Sequence, residues 1–331
     1  MSVPKQAPQA VNGELSESAL CGSVQTLVEA LHPHLKGRVT VGLDTTFDRD
    51  LGLDSLTRVE MLTRIEREFG LSLSEADMAA AETPRDVLRA LKTAAPGTRT
   101  DHAPVVDVTE NRAAAAPERS ETLIDVLLWH ADTHPERTHV HLLDDDRGVR
   151  KLGYGELLEQ SRSVAAGLRA RGFEPGHAAA IMLPTGVEYF FSFFGILLAG
   201  GIPVPIYPPA RISQIEDHFR RHARILDNAG VRVLITFDQA KQVTRLLASQ
   251  VDGLDNVVTA TELLGSEQLD EVSNIDANAI AFLQYTSGST GDPKGVVLSH
   301  GNLLSSIDCM RPALAAEPDD VFVSWLPLYH D

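Results

Sequence analysis

Two short runs in this chain carry side chains that could do chemistry. The first is LGLDSL at Leu51–Leu56, where Ser55 follows Asp54 just ahead of apolar residues Leu56, Val59, Leu62, Ile65 and Phe69. Their steps of three or four predict a helix. A serine in a helix's first turn lies among free backbone N–H groups and the positive end of the helix dipole, which favour a phosphodiester. The same Asp-Ser pair could merely cap the helix. The second run is YTSGSTGDPKG at Tyr285–Gly295, directly after the strand-like AIAFLQ. Thr286, Ser287, Gly288, Ser289, Thr290 and Gly291 offer N–H groups and hydroxyls to phosphate oxygens, and Lys294 supplies positive charge. A polar surface turn accounts for the glycines but not for the dense hydroxyls closed by Pro-Lys-Gly. It is not a Walker A loop, because the Gly-Lys-Ser/Thr ending is absent and Pro293 precedes the lysine.

The elements around these runs must hold them in place. Residues 1–13 have no apolar period and read as a disordered leader. Leu20, Val24, Leu27, Val28 and Leu31 then recur at helical spacing, and Thr83 with Pro84 opens a further helix containing Val87, Leu88 and Leu91. Residues 14–95 therefore read as a small helical bundle around the Ser55 helix. Residues 96–120, rich in Ala, Pro and Gly without a sustained period, read as a flexible linker; a coil of ~25 residues spans roughly 25 to 30 Å.

From residue 121 the pattern alternates. Helices are expected in TLIDVLLWHA, YGELLEQSRSVAAGLRARG, VEYFFSFFGILLAG and QIEDHFRRHARILDNAG, and strands in AAAIML, IPVPI, VRVLITF, AIAFLQY and VFVSWL. This βα alternation argues for an α/β domain with a largely parallel sheet over residues 121–331.

Bulk properties set limits on function. At 331 residues the chain fits two or three folded units, and 43% hydrophobic with 23% charged residues is ordinary for a globular protein. A formal net charge of −17 argues against a nucleic-acid surface. From Glu14 to Lys92 there are 14 Asp and Glu against 9 Lys and Arg, an acidic surface that suits a basic partner face or serves solubility alone. Two cysteines, Cys21 and Cys309, support neither a disulfide framework nor a thiolate metal site, so a reduced, cytoplasmic setting is expected. Cys21 reads as packing. His218 and His222 stand four apart, but Arg220, Arg221 and Arg224 crowd them, so a solvated basic face is expected in place of a metal site. The N-terminus has no apolar stretch for a secretory signal. Tyr189–Ile206, the most apolar region, is broken by Ser192, three glycines, Pro203 and Pro205. It falls short of the ~20 apolar residues of a membrane span and reads as buried core.

In this context FDRDLGLDSLTRVEML, between an upstream amphipathic helix and the downstream TPRDVLRAL, resembles the acyl carrier domains of polyketide, peptide and fatty-acid synthesis. The resemblance implies a four-helix carrier bundle in which a phosphopantetheinyl transferase attaches 4′-phosphopantetheine from coenzyme A to Ser55. YTSGSTGDPKG resembles the signature loop of the adenylate-forming superfamily. GIPVPIYPPAR at residues 201–211, Gln284, and WLPLYHD at residues 325–331 are most similar to fatty acyl-AMP ligases. By that resemblance the loop grips ATP phosphates with Mg²⁺, His330 lies beside the acyl carboxylate and α-phosphate, and the acyl group passes to downstream synthase or carrier modules. The chain is expected to hold only the N-terminal part of the acyl-CoA synthetase-like fold and to be truncated at Asp331. Three other readings stay open at this point: a carrier alone beside an inactive ligase part, an acyl-CoA ligase, and an amino-acid adenylation domain.

Overall fold

The computed structural model describes residues 16–31, 37, 39–48, 50–53, 55–71, 73, 81–93, 117, 119–144, 148–208, 215–248, 251–265, 267–269, 272–286, 294–317, 320–324 and 326–329. The chain divides into two compact units, Met1–Ala103 and Pro104–Asp331.

In the first unit, three helices lie among the described residues: α1 (Glu17–Leu31), α2 (Ser55–Phe69) and α3 (Pro84–Thr93). Each turns an apolar stripe inward. Leu20, Val24 and Val28 of α1, Met61, Leu62 and Ile65 of α2, and Val87, Leu88 and Leu91 of α3 share one core, as their steps of three and four require. Pro84 takes the first helical position of α3, where its missing N–H costs nothing. The Thr83 hydroxyl accepts from the Asp86 N–H at 3.3 Å. The fourth helix of the expected bundle is not among the described residues.

The second unit begins with α4 (Leu123–Thr133), whose N-terminus is closed by a reciprocal Thr122–Asp125 capping box. An antiparallel hairpin, β1 (Thr138–Asp144) and β2 (Gly148–Gly153), follows. Then come α5 (Tyr154–Arg169), β3 (Ala178–Ile181), α6 (Val187–Leu198), β4 (Ile202–Pro205), α7 (Ile215–Asn228), β5 (Val231–Thr236), α8 (Asp238–Ala248), β6 (Asn256–Thr259) and α9 (Ala260–Leu264). A second hairpin, β7 (Ile280–Thr286) and β8 (Lys294–Ser299), leads into α10 (His300–Ala313).

Strands β4-β3-β5-β6 form a parallel sheet in that order. Alternate residues face opposite layers, as the two-residue period of a strand dictates. Ala179, Ile181, Val233 and Ile235 join the core under α5 and α6. Ala178, Ala180, Val204 and Leu234 join the core with Ile225 and Leu226 of α7. Burial on both faces explains why these strands read as continuous apolar runs. Pro203 and Pro205 fit because β4 is at the edge of this sheet, where a missing N–H breaks no ladder. The expected core at Tyr189–Ile206 is α6 and β4, with Phe191, Ile196, Leu197, Leu198 and Val204 all buried.

One expected strand is absent. Residues 321–324 of VFVSWL carry no strand, and Val321, Phe322 and Val323 are 53%, 93% and 75% exposed. The β-branched and aromatic run has the right composition, but a strand is made by its ladder partner, and none of the described strands pairs with it.

Helices α5 and α6 pack against each other where Gly195 faces Val164 and Ser161. A Cβ at Gly195 would lie 2.5 Å from Val164 Cγ1 and 3.0 Å from the Ser161 carbonyl. Replacing Gly195 with valine is therefore expected to lower the stability of this unit by at least the ~1–3 kcal/mol of an overpacked core. Gly22 in α1 has nothing within 4 Å of the same point, so Gly22→Ala should instead stabilise its unit by about 0.5–1 kcal/mol through helix propensity. Calorimetric melting of the two variants checks both signs.

Candidate functional site

The segment leading to Ser55 is tied down from three sides. The Gln25 side-chain amide of α1 donates to the Val39 carbonyl at 3.0 Å and accepts from the Val41 N–H at 2.8 Å, imitating a strand partner. The Phe47 N–H donates to the Glu82 carbonyl, and the Leu53 N–H donates to the Phe47 carbonyl, each at 2.9 Å. Phe47, Leu51 and Leu53 are buried in the bundle core. Between the two leucines Gly52 adopts φ +66°, a left-handed conformation that glycine takes without a Cβ clash. Arg85 grips Asp44 through two hydrogen bonds of 2.6 and 2.8 Å. Both partners are exposed, so this pair contributes geometry more than stability.

LGLDSL therefore reaches α2 with Leu51 and Leu53 anchored in the core, and Ser55 is the first residue of that fifteen-residue helix. Asp54 and the side chain of Ser55 lie outside the described residues. The surroundings suit an attached phosphodiester. The first-turn N–H groups have no intrahelical acceptor. Arg58, one turn further on the same helix, has a guanidinium Nε that is buried without a hydrogen-bond partner.

In the second unit, the β7–β8 hairpin carries the other motif. Thr286 pairs with Lys294 as the last rung of the ladder, so residues 287–293 form the loop between them. Ser287, Gly288, Ser289, Thr290 and Gly291 fall in that loop, outside the described residues. One rung down, Tyr285 opposes Gly295, and a Cβ at Gly295 would lie 2.9 Å from Tyr285 Cζ. The glycine leaves room for the ring to lie across the hairpin. The Tyr285 hydroxyl donates to Asn228 Oδ1 at 2.6 Å, tying the loop's stem to the last residue of α7. Lys294 is exposed beside the loop. Neither Tyr285 nor Asn228 was singled out by the sequence pattern. The aromatic residue that opens the YTSGSTGDPKG run and the glycine that closes it were the only signal available.

His300 fixes the other end of the hairpin. Its N–H donates to the Ala279 carbonyl at 3.1 Å, and its ring Nδ1 accepts from the Leu123 N–H at the start of α4, also at 3.1 Å. That acceptor role requires a neutral ring with the proton on Nε2. Burial holds His300 below its ordinary value of 6.5, against a weaker opposing pull from Asp125. His130 is lowered by burial and by Arg137 and His134, and His141 by burial and Lys151. A lowered histidine binds fewer protons folded than unfolded, so its contribution is complete above about pH 6.5 and is lost as the pH falls toward the folded value. The second unit is thus expected to melt at lower temperature at pH 5 than at pH 7. His300→Gln, which keeps an acceptor but cannot titrate, should flatten part of that slope. Identical pH dependence in both proteins would exclude this role for His300.

Near the end of the described chain, Tyr329 is buried in the core under α5 and α6 and meets Tyr207 edge-on at 5.3 Å. His330, the neighbour to which the acyl carboxylate is assigned by resemblance, lies outside the described residues. Of the two histidines weighed as a metal pair, the His218 side chain also lies outside them, and His222 stands 6.3 Å from the Tyr207 ring. No group of three metal-ligating side chains occurs among the described residues. Cys21 is partly buried and its thiol is pushed up by burial and by Glu17, in keeping with packing and against reactivity.

With the geometry in place, comparison with known proteins decides the family. Residues 127–331 match the model of the AMP-binding enzymes. The chain belongs to the AMP-binding enzyme family. Residues 24–91 match the model of the phosphopantetheine attachment site. Among its relatives is the medium-chain-fatty-acid--[acyl-carrier-protein] ligase JamA of Moorena producens (strain JHB), 31% identical over 220 residues, covering 65% of this chain and 37% of the relative. Another is the long-chain-fatty-acid--AMP ligase FadD32 of Mycolicibacterium smegmatis, 35% identical over 232 residues, covering 65% of this chain and 34% of the relative. The crystal structure of a fatty acyl-adenylate ligase from L. pneumophila, in complex with acyl adenylate and pyrophosphate, superposes with a TM-score of 0.55 at 27% identity. It covers 66% of this chain and 38% of that one. The chain thus spans somewhat over a third of the length of these relatives. No described helix is long and apolar enough to cross a membrane.

Proposed function

We propose that the protein activates a fatty acid as its acyl-adenylate with ATP and Mg²⁺, then passes the acyl group to a phosphopantetheine thiol for lipid or polyketide assembly. One observation carries this reading: a phosphopantetheine attachment site and an AMP-binding region whose relatives are fatty-acid ligases lie on one chain. In this reading residues 14–95 are the carrier, 96–120 the linker and 121–331 the front part of the ligase. Ser55 carries the arm, which a phosphopantetheinyl transferase takes from coenzyme A and which supplies a thiol to accept the acyl group.

The chemistry follows from the weakness of a carboxylate as an electrophile. Its oxygen attacks the α-phosphorus of ATP, the bond to the bridging oxygen breaks, and pyrophosphate leaves. Thr286, Ser287, Gly288, Ser289, Thr290 and Gly291 cradle the phosphates, and Lys294 offsets their charge as it shifts to the leaving group. His330 orients the reacting oxygens. Held on Ser55, the phosphopantetheine arm would supply the thiol that takes the acyl group, with AMP as the leaving group.

The test is pyrophosphate exchange into ATP, measured with fatty acids of several lengths and with a panel of amino acids, in a ligase of the relatives' length that includes this chain. Exchange driven by fatty acids and not by amino acids is expected. Exchange driven only by amino acids would move the assignment to an amino-acid adenylating enzyme. No exchange with either would leave the first unit as a carrier beside an inactive partner. Transfer of the acyl group to free coenzyme A in preference to the Ser55 arm would indicate an acyl-CoA ligase.

A further inference from the structure

We propose that Thr185 and Tyr189 are positioning residues that hold Leu328 by both of its backbone groups and thereby place His330, two residues further along. This rests on the role given to His330 above.

The chain approaching Leu328 has little support of its own. Val321, Phe322, Val323 and Leu326 are all exposed, and no strand forms among them. At Leu328 this changes abruptly. The Leu328 N–H donates to Thr185 Oγ1 at 3.3 Å, and the Tyr189 hydroxyl donates to the Leu328 carbonyl at 2.9 Å. Two side chains thus satisfy one residue's donor and acceptor, as a neighbouring strand would, and without a strand they fix both its position and its orientation. Tyr329 then turns into the core and meets the ring of Tyr207. The polypeptide is gripped at two consecutive residues immediately before His330.

The grip is built on rigid parts. Tyr189 is in the first turn of α6, is 5% exposed, and its phenol is pushed up by burial, so it stays protonated and able to donate around neutral pH. Thr185 follows the carboxyl end of β3, and Tyr207 follows that of β4. Strand β3 is flanked by β4 on one side and β5 on the other, so the sheet grows from it in both directions. In open parallel sheets the crevice at the carboxyl ends of such strands is where ligands bind. Leu328 and Tyr329 are therefore fastened over the edge of the sheet at which chemistry is expected. A reacting group displaced by about 1 Å can lose roughly a hundredfold in rate, which gives this clamp a function beyond holding the chain.

The test uses Tyr189→Phe, which removes one hydroxyl and keeps the ring, and Thr185→Val, which keeps the shape and removes the acceptor. Both are made in a ligase of the relatives' length that includes this chain, alone and combined with His330→Ala. Each single variant is expected to lower kcat for acyl-adenylate formation by about ten- to a hundredfold while KM for ATP stays unchanged. Neither should reduce the residual rate of the His330→Ala protein further, because the group they place is gone. Hydrogen exchange at the Leu328 amide should accelerate in both. If Tyr189→Phe retains full kcat, or lowers the rate equally with and without His330, the positioning role is overturned while the ligase assignment stands. If the unsubstituted enzyme forms no acyl-adenylate, the ligase assignment and this inference fall together.

Discussion

Substitution of Ser55 by alanine should abolish attachment of the phosphopantetheine arm while leaving the helical unit folded. The loss is all-or-none because the phosphodiester is made on one oxygen, and alanine has none. Folding should survive for reasons local to the site. Alanine is the best helix former, Ser55 is the first residue of α2, and the preceding loop is fastened by Phe47, Leu51, Leu53 and Gln25, not by Ser55 itself. Intact mass after incubation with coenzyme A and a phosphopantetheinyl transferase reads the first part, and far-UV circular dichroism reads the second. An arm appearing on the alanine variant would move the attachment point elsewhere. A variant that loses helicity would instead reduce Ser55 to a structural cap.

The second large effect concerns Lys294. It stands on the final rung of the β7–β8 ladder, opposite Thr286 and exposed, next in sequence to the phosphate-binding run proposed above. Lys294→Ala is expected to slow fatty-acid-dependent pyrophosphate exchange by roughly 10²- to 10³-fold, the scale on which removing one preorganised stabilising group acts. Little change in melting temperature should accompany it, since an exposed side chain away from caps and core contributes within about ±0.5 kcal/mol. The combination separates electrostatic stabilisation from support of the hairpin. Gly295, one residue on, would show the opposite profile: a side chain there drives into the Tyr285 ring, so damage to the stem would precede damage to the chemistry.

What could be read from the sequence was what is decided locally. The three carrier helices announce themselves by their apolar steps. The βα alternation from α5 to β5 does so because each strand is buried on both faces, α5 keeps one buried face, and α6 is apolar nearly all round. The two chemical motifs were legible because their residue types are unusual for plain structure. Hairpin β1–β2 was missed because THVHLLD and GVRKLG mix histidine, arginine and lysine into partly exposed strands, which blurs any alternation. Strand β8, KGVVLS, was missed because its first four residues are exposed, so nothing in its pattern marks an inner face. VFVSWL erred the other way, with strand composition and no partner. The contacts that stem the loop and hold Leu328 link residues 57 and 139 positions apart, a separation at which a sequence shows the two residues but not that they meet.

The most direct measurement of the central claim is intact-protein mass in two steps. The protein is first incubated with coenzyme A and a phosphopantetheinyl transferase, and then with ATP, Mg²⁺ and a mixture of fatty acids. The result expected is one phosphopantetheine arm on Ser55, followed by a fatty-acyl increment that requires ATP, is absent in Ser55→Ala and accumulates far more slowly in Lys294→Ala. An arm that never gains an acyl group under these conditions, in a ligase of the relatives' length, would contradict the coupling of carrier and ligase proposed here.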